Sequence, residues 1–214
     1  MENEQIISYM RLRKSLGWLA VLLPFVLGLG AWYFEGIPWA DSVSAYYYTS
    51  MRDVFVGTMF ATGIFLYCYR GADRQDNILS NVAGVAAAAI GLFPMEPRYS
   101  KVLIDRHADL AGSNCYVPHG PLGYHFYATA TFFAIVSYMA IFRFTKTDHV
   151  PITAAKAMRN RVYVVCGVIM LVCFVWIGLL KLRAPAGSIV IPESGAIIAF
   201  AIAWLTKGQA ILPD

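Results

Sequence analysis

Charge is what this chain has least of. Asp, Glu, Lys and Arg make up 14% of its 214 residues, where a soluble domain carries about a quarter. The deficit is spread over several long apolar stretches, which excludes an ordinary soluble domain and points to an all-α, polytopic membrane protein. No Gly/Ser-rich or Pro-rich tract divides the sequence, so residues 1–214 read as a single domain. Cysteines are few: Cys68, Cys115, Cys166 and Cys173. None are spaced as CxxC and three lie in apolar stretches, which excludes a local zinc or disulfide framework and leaves small core residues. No lysine lies inside an apolar run, which argues against a retinal Schiff base. The net charge of +4 comes with no aromatic-interleaved basic patch and no nucleic-acid module, so nucleic acid is excluded as a partner.

What fills the chain instead is apolar sequence. Six runs stand out, at about 16–33, 54–69, 78–95, 122–142, 162–180 and 189–206. A membrane helix needs about 20 apolar residues, so the expectation is six spans in one six-transmembrane-helix bundle. The second run reaches that length only with Arg52, Asp53 and Arg70 at the interfaces. The first is too long for a signal-peptide core and lacks a small-x-small cleavage site, so it reads as a span. Residues 1–15 read as a helical lead-in. Lys and Arg sort unevenly between the connections, eleven on the side holding both termini and six on the other. The positive-inside rule then places both termini in the cytoplasm and the protein in the inner, cytoplasmic membrane. Gly84 and Ala88 lie four apart, as do Gly57 and Ala61, a spacing that lets helix backbones approach closely. The second and third spans are therefore expected at the centre. The inner loop RFTKTDHVPITAAKAMRNR is expected to rest on anionic headgroups.

In that orientation the polar chemistry collects outside. The stretch SVSAYYYTSMRD, residues 42–53, joins the first two spans across the outer surface. Tyr46, Tyr47 and Tyr48 fit an interfacial aromatic belt, with Trp32 and Trp39. Three consecutive tyrosines cannot all face lipid, so at least one should turn inward to a hydrogen-bond partner. Even-numbered spans start at the outer surface, and Asp53, His125 and Glu193 stand at or near those N-termini. Asp53 and Glu193 suit helix capping. They also suit a shared polar site, because ionisable groups in a membrane usually face the bundle interior. His125, with Thr129 one turn below it, reads either as a hydrogen-bonded packing residue or as a general base or metal ligand.

The candidate ligand-binding set is therefore Arg52, Asp53, Ser42, Ser44, Tyr47, His125 and Glu193. His125, Asp53 and Glu193 are its candidates for acid–base chemistry. His119 and His125 are the metal-ligand candidates, but their spacing in HGPLGYH puts them off one helical face and no HExxH is present. A bis-histidine haem is disfavoured because His125 alone among the histidines is placed deeply enough. Ser42 and Ser44 lack the GxSxG setting of a nucleophile elbow and read as turn or cap hydroxyls. The sequence specifies no cofactor.

The order of these features resembles a known pattern. The Ser/Tyr loop SVSAYYYTSMRD leads into a Gly-bearing second span, VFVGTMFATG. An inner basic turn follows, RGADRQDN, then a small-residue third span closing in GLFP, then a histidine opening the fourth. Over about residues 40–145 the chain is similar to the six-span superfamily that includes the DRAM, Frag and Sfk proteins. RNRVYVVCG and ESGAIIAFAIAWLTKG resemble an uncharacterised bacterial branch. The resemblance implies a six-helix bundle that associates with lipids, since eukaryotic relatives are linked to lipid-anchor remodelling, membrane lipid organisation and autophagy. It supplies no catalytic residues. The stretch YSKVLIDRHADLAGSNCYVPHG departs from the shorter outer loop of such proteins.

Two classes of function fit. One is binding or remodelling of a lipid or small amphiphile through a polar outer pocket, with Arg52 and the helix N-termini holding an anionic headgroup. The other is an accessory subunit of a larger membrane complex, or a homo-oligomer, with the 95–121 loop as contact surface. A channel or transporter is disfavoured, because the middle and inner parts of the runs are nearly all apolar.

Overall fold

A computed structural model of the chain describes residues 2–37, 39–96, 123–147, 152–184 and 186–212. The described residues contain no strand and six α-helices: α1 (Glu2–Glu35), α2 (Arg52–Cys68), α3 (Arg74–Leu92), α4 (Gly123–Tyr138), α5 (Ala154–Arg183) and α6 (Val190–Lys207). A 3₁₀-helix, Val43–Tyr48, lies between α1 and α2, and α4 runs on into a π-helical turn, Met139–Arg143.

Local chemistry sets the helix ends. Gly36 adopts φ +65°, a left-handed conformation that glycine reaches without strain, and its N–H closes the last turn of α1 on the Trp32 carbonyl at 2.9 Å. The Asp73 side chain caps α3 by accepting the Asp76 N–H at 3.0 Å, and Thr153 caps α5 by accepting the Lys156 N–H at 3.2 Å. The apolar runs all lie on these helices, although α3 stops at Leu92 rather than at 95. Its polar first turn, RQDN, is helical because Asp73 caps it.

Each helix packs on its neighbours in sequence, and α6 packs on α1, so the six close a ring. Segments Met10–Glu35, Gly123–Arg143, Ala154–Arg183 and Val190–Lys207 are long and apolar enough to cross a membrane. Their outward faces are apolar too: Trp18, Leu22, Phe25 and Leu29 on α1, and Val165, Val172, Trp176 and Leu179 on α5, are all exposed. A soluble monomer rarely presents so long an apolar surface. The inward faces carry small and branched residues such as Leu27, Ala31, Leu66, Ala83, Ala87 and Met170, all buried.

The expected small-residue contact exists, with a change of partner. A Cβ on Gly63 would sit 2.8 Å from the Gly84 carbonyl oxygen, and one on Gly84 would sit 2.6 Å from that of Gly63. The two backbones therefore touch directly. Gly57 has nothing within 4 Å of its Cβ position, so Gly63 takes the role expected of it. The pair α2 and α3 also form part of the ring wall rather than its centre. Among the cysteines, Cys166 and Cys173 are buried and free, but Cys68 is exposed at the end of α2, and Cys115 lies outside the described residues.

At the opposite end from Ser42, Arg143 joins the π-helical turn to the N-terminus of α3. Its guanidinium forms ion pairs with Asp73 and Asp76 and donates to the Gln75 Oε1 at 2.9 Å. Asp76 is buried and also accepts the Ala72 N–H at 2.9 Å. Beside it, Tyr69, Phe144 and Trp204 pack edge to face, with Lys207 4.9 Å from the Phe144 ring centre. Several basic residues counted for orientation thus also hold this end together.

Candidate functional site

The site grows from the 3₁₀-helix. Three residues per turn separate successive side chains by about 120°, so three tyrosines in a row point three ways. Tyr46 is buried and its hydroxyl accepts the Ala40 N–H at 3.1 Å. Burial pushes its phenol above the usual range, and the Ala40 N–H offsets part of that. Tyr47 is also buried; its hydroxyl accepts from Arg52 at 2.9 Å, and the guanidinium sits 4.6 Å from its ring centre. Tyr48 donates to the Met95 carbonyl at 2.7 Å. These three tyrosines therefore do not form a lipid-facing belt; the exposed aromatics at this end include Trp32, Tyr33, Phe34 and Trp39.

Glu193 holds this segment to the ring. It stands in the first turn of α6, yet its carboxylate does not cap that helix. It accepts the Ser42 hydroxyl at 2.9–3.0 Å and the Val43 N–H at 2.6 Å. Ser42 in turn accepts the Ser44 N–H at 3.2 Å, and the Asp41 carbonyl accepts the Ile189 N–H at 2.7 Å. Glu193 thus satisfies the open N-terminus of the 3₁₀-helix from the neighbouring helix α6.

His125 is buried in the first turn of α4. Its Nδ1 lies 2.8 Å from the Phe93 carbonyl, and its Nε2 lies 3.0 Å from Ser44 Oγ. A carbonyl can only accept, so Nδ1 carries the proton and Nε2 is the acceptor for the Ser44 hydroxyl. Thr129, one turn on, donates to the His125 carbonyl at 2.8 Å.

Two cavities meet at these groups. One, of about 100 Å³, is lined by Ser42, Glu96, His125, Lys181 and Glu193 among others. The second, of about 70 Å³, takes its lining from every helix, including Ala20, Phe55, Ile90, Phe133, Ile177 and Ile197, and so lies inside the ring. Ser44, Thr129, Ile177 and Glu193 line both. The result is two adjoining chambers, both exposing mostly apolar surface, with Ser44 at the junction and His125, Lys181 and Glu96 on the lining of the first alone.

Of the expected set, the structure brings Ser42, Ser44, His125 and Glu193 together. Asp53 does not join them: it is exposed in the first turn of α2 and lines neither chamber, a placement that suits the helix dipole. Arg52 is exposed and engages Tyr47, and neither lines a chamber. His119 lies outside the described residues, and among those described no three His, Cys, Asp or Glu side chains converge as a metal centre. Sequence reasoning missed Lys181, Glu96 and Thr62 as lining residues. A signal for the first two was present, since both stand at the ends of apolar runs on the same side as Glu193. Comparison with protein-family models, with curated proteins and with solved structures finds no match to this chain.

Proposed function

We propose that the protein is a six-span membrane protein that binds a single-chain or small amphiphile inside its helix ring. The observation that carries this reading is the stacked pair of chambers. Both chambers expose mostly apolar surface, which suits an acyl chain, and the few polar side chains on the first, His125, Lys181, Glu96 and Glu193, suit a small headgroup at its end. The ring supports the reading of six spans. With 17 residues, α2 is about 25 Å long, against a hydrocarbon core of about 30 Å. It and α3 nonetheless pack in one ring with four helices that are long and apolar enough to cross, which supports their spanning beside them. An even number of spans keeps the termini on one side, and the Lys/Arg excess there makes that side cytoplasmic. In this orientation the chamber beside His125 lies toward the outer leaflet, and the resemblance to lipid-associated six-span proteins agrees with this. The headgroup contact falls to Lys181 and the hydroxyls rather than to Arg52.

Native mass spectrometry of protein released from membranes in mild detergent tests the reading. One tightly held amphiphile is expected per chain, and Ile197→Trp, which fills the apolar chamber, is expected to lose it. A bare chain, or adducts unchanged by Ile197→Trp, contradicts the reading. The accessory-subunit alternative forecasts the reverse: empty chambers and a stably co-purifying partner.

A further inference from the structure

We infer that Ser44 and His125 form a nucleophile–base pair that hydrolyses a carboxylic ester in the bound amphiphile, an inference that rests on the binding proposed above. Three observations carry it. The first is the direction of the hydrogen bonds. The Phe93 carbonyl fixes the proton on Nδ1, so the Nε2 lone pair faces Ser44 Oγ at 3.0 Å. That lies within the reach of about 2.6–3.2 Å that a general base needs, and an acceptor behind the base holds its tautomer.

The second observation is the contrast between two neighbouring serines. Ser42 is buried, and its hydroxyl is committed to both carboxylate oxygens of Glu193. Ser44 is only part-buried, lines the cavity, and gives its proton to a neutral nitrogen base. The third is position. Ser44 lines both chambers and stands where they meet. A molecule that occupies both chambers must pass Ser44, so an ester at that depth presents its carbonyl to the hydroxyl. Lys181 lines the first chamber too, with its ammonium donating to the Gly187 carbonyl at 3.0 Å.

The chemistry balances with water as the other reactant. Ser44 Oγ bonds to the carbonyl carbon as its proton moves to His125 Nε2, and the carbonyl π pair moves onto oxygen. The C=O re-forms, the C–O bond to the alcohol breaks, and Nε2–H protonates the departing alkoxide. Water then attacks the acyl-serine, giving its proton to Nε2. Collapse releases the carboxylic acid and returns the proton to Ser44.

The full chain in nanodiscs of phosphatidylethanolamine and phosphatidylglycerol, treated with a hexadecyl fluorophosphonate, tests this. Expected is one covalent adduct, mapped by peptide mass to Ser44, absent in Ser44→Ala. His125→Asn is expected to slow labelling by at least about tenfold while melting like the wild type. Wild-type protein without an adduct on Ser44 overturns the inference, as does His125→Asn labelling at the wild-type rate. If Ser44→Ala does not fold, the wild-type adduct map decides alone. A native mass spectrum of the same preparation separates the two readings. A retained amphiphile without a Ser44 adduct removes the chemistry and leaves the binding; a bare chain without an adduct removes both.

Discussion

His125 Nδ1 donates to the carbonyl of Phe93 across 2.8 Å, bonding the first turn of α4 to the residue that ends α3. Segment 97–122, which joins those helices, lies outside the described residues, so this bond is a direct tie between them. Phe93 and Tyr124 add a ring contact with centroids 5.5 Å apart. His125→Ala leaves a buried carbonyl without its donor and is expected to cost about 2 kcal/mol. His125→Asn can place an amide N–H near the Nδ1 position and is expected to recover most of it. Thermal melts in one detergent compare the three. Equal midpoints for Ala and Asn would show that the ring packs there without its bond.

Gly63 and Gly84 make a second sharp expectation. Each is opposed by rigid backbone, so Gly84→Ala must separate α2 from α3 and is expected to cost about 1–3 kcal/mol. Gly57 faces open space in the same helix. Gly57→Ala is expected to be neutral or to stabilise by up to about 1 kcal/mol, the helix-propensity difference. Melting the two variants side by side separates contact from propensity.

The far end should weaken in acid. The Asp76 backbone N–H, and then Arg143, hold the Asp73 carboxyl down at about 2. An unperturbed aspartate titrates near 3.9, so about two units separate the folded and unfolded values. The resulting stabilisation is complete above about pH 4 and is lost as pH falls through about 2. Asp73→Asn should flatten the melting temperature over that window relative to wild type. Arg143→Met leaves Asp76 buried and uncompensated, and is expected to cost on the order of 3 kcal/mol at neutral pH.

Topology is testable with single cysteines. Ser50 and Ala72 are both exposed, at opposite ends of α2. In a chain lacking its native cysteines, Ser50→Cys is expected to react with a membrane-impermeant maleimide in intact cells. Ala72→Cys should react only after permeabilisation. The opposite pattern would invert the orientation and place the chamber beside His125 at the inner leaflet.

The helices were legible because apolar runs are long and local, and caps such as Asp73 and Thr153 are read directly. Which face of a helix turns inward was less so. Gly57 and Gly63 look alike in sequence, and only the angle at which α2 meets α3 chooses between them. The site was legible by residue type at Ser42, Ser44, His125 and Glu193, polar groups in an apolar setting. It was not legible in its pairings, since Ser44 and His125 are 81 residues apart and Ser42 and Glu193 are 151 apart. Asp53 has the same sequence signature as Glu193, an acid in a helix first turn. Glu193 faces the ring because Ser42 and Val43 present donors to it; Asp53 faces out, where the helix dipole alone accounts for it.

The most direct measurement is an experimental structure of the full chain in a lipid nanodisc. The account predicts continuous density running from the chamber beside Lys181, past Ser44, into the chamber beside Phe133 and Ile197. Empty chambers, with lipid ordered only around the outside of the ring, would contradict it.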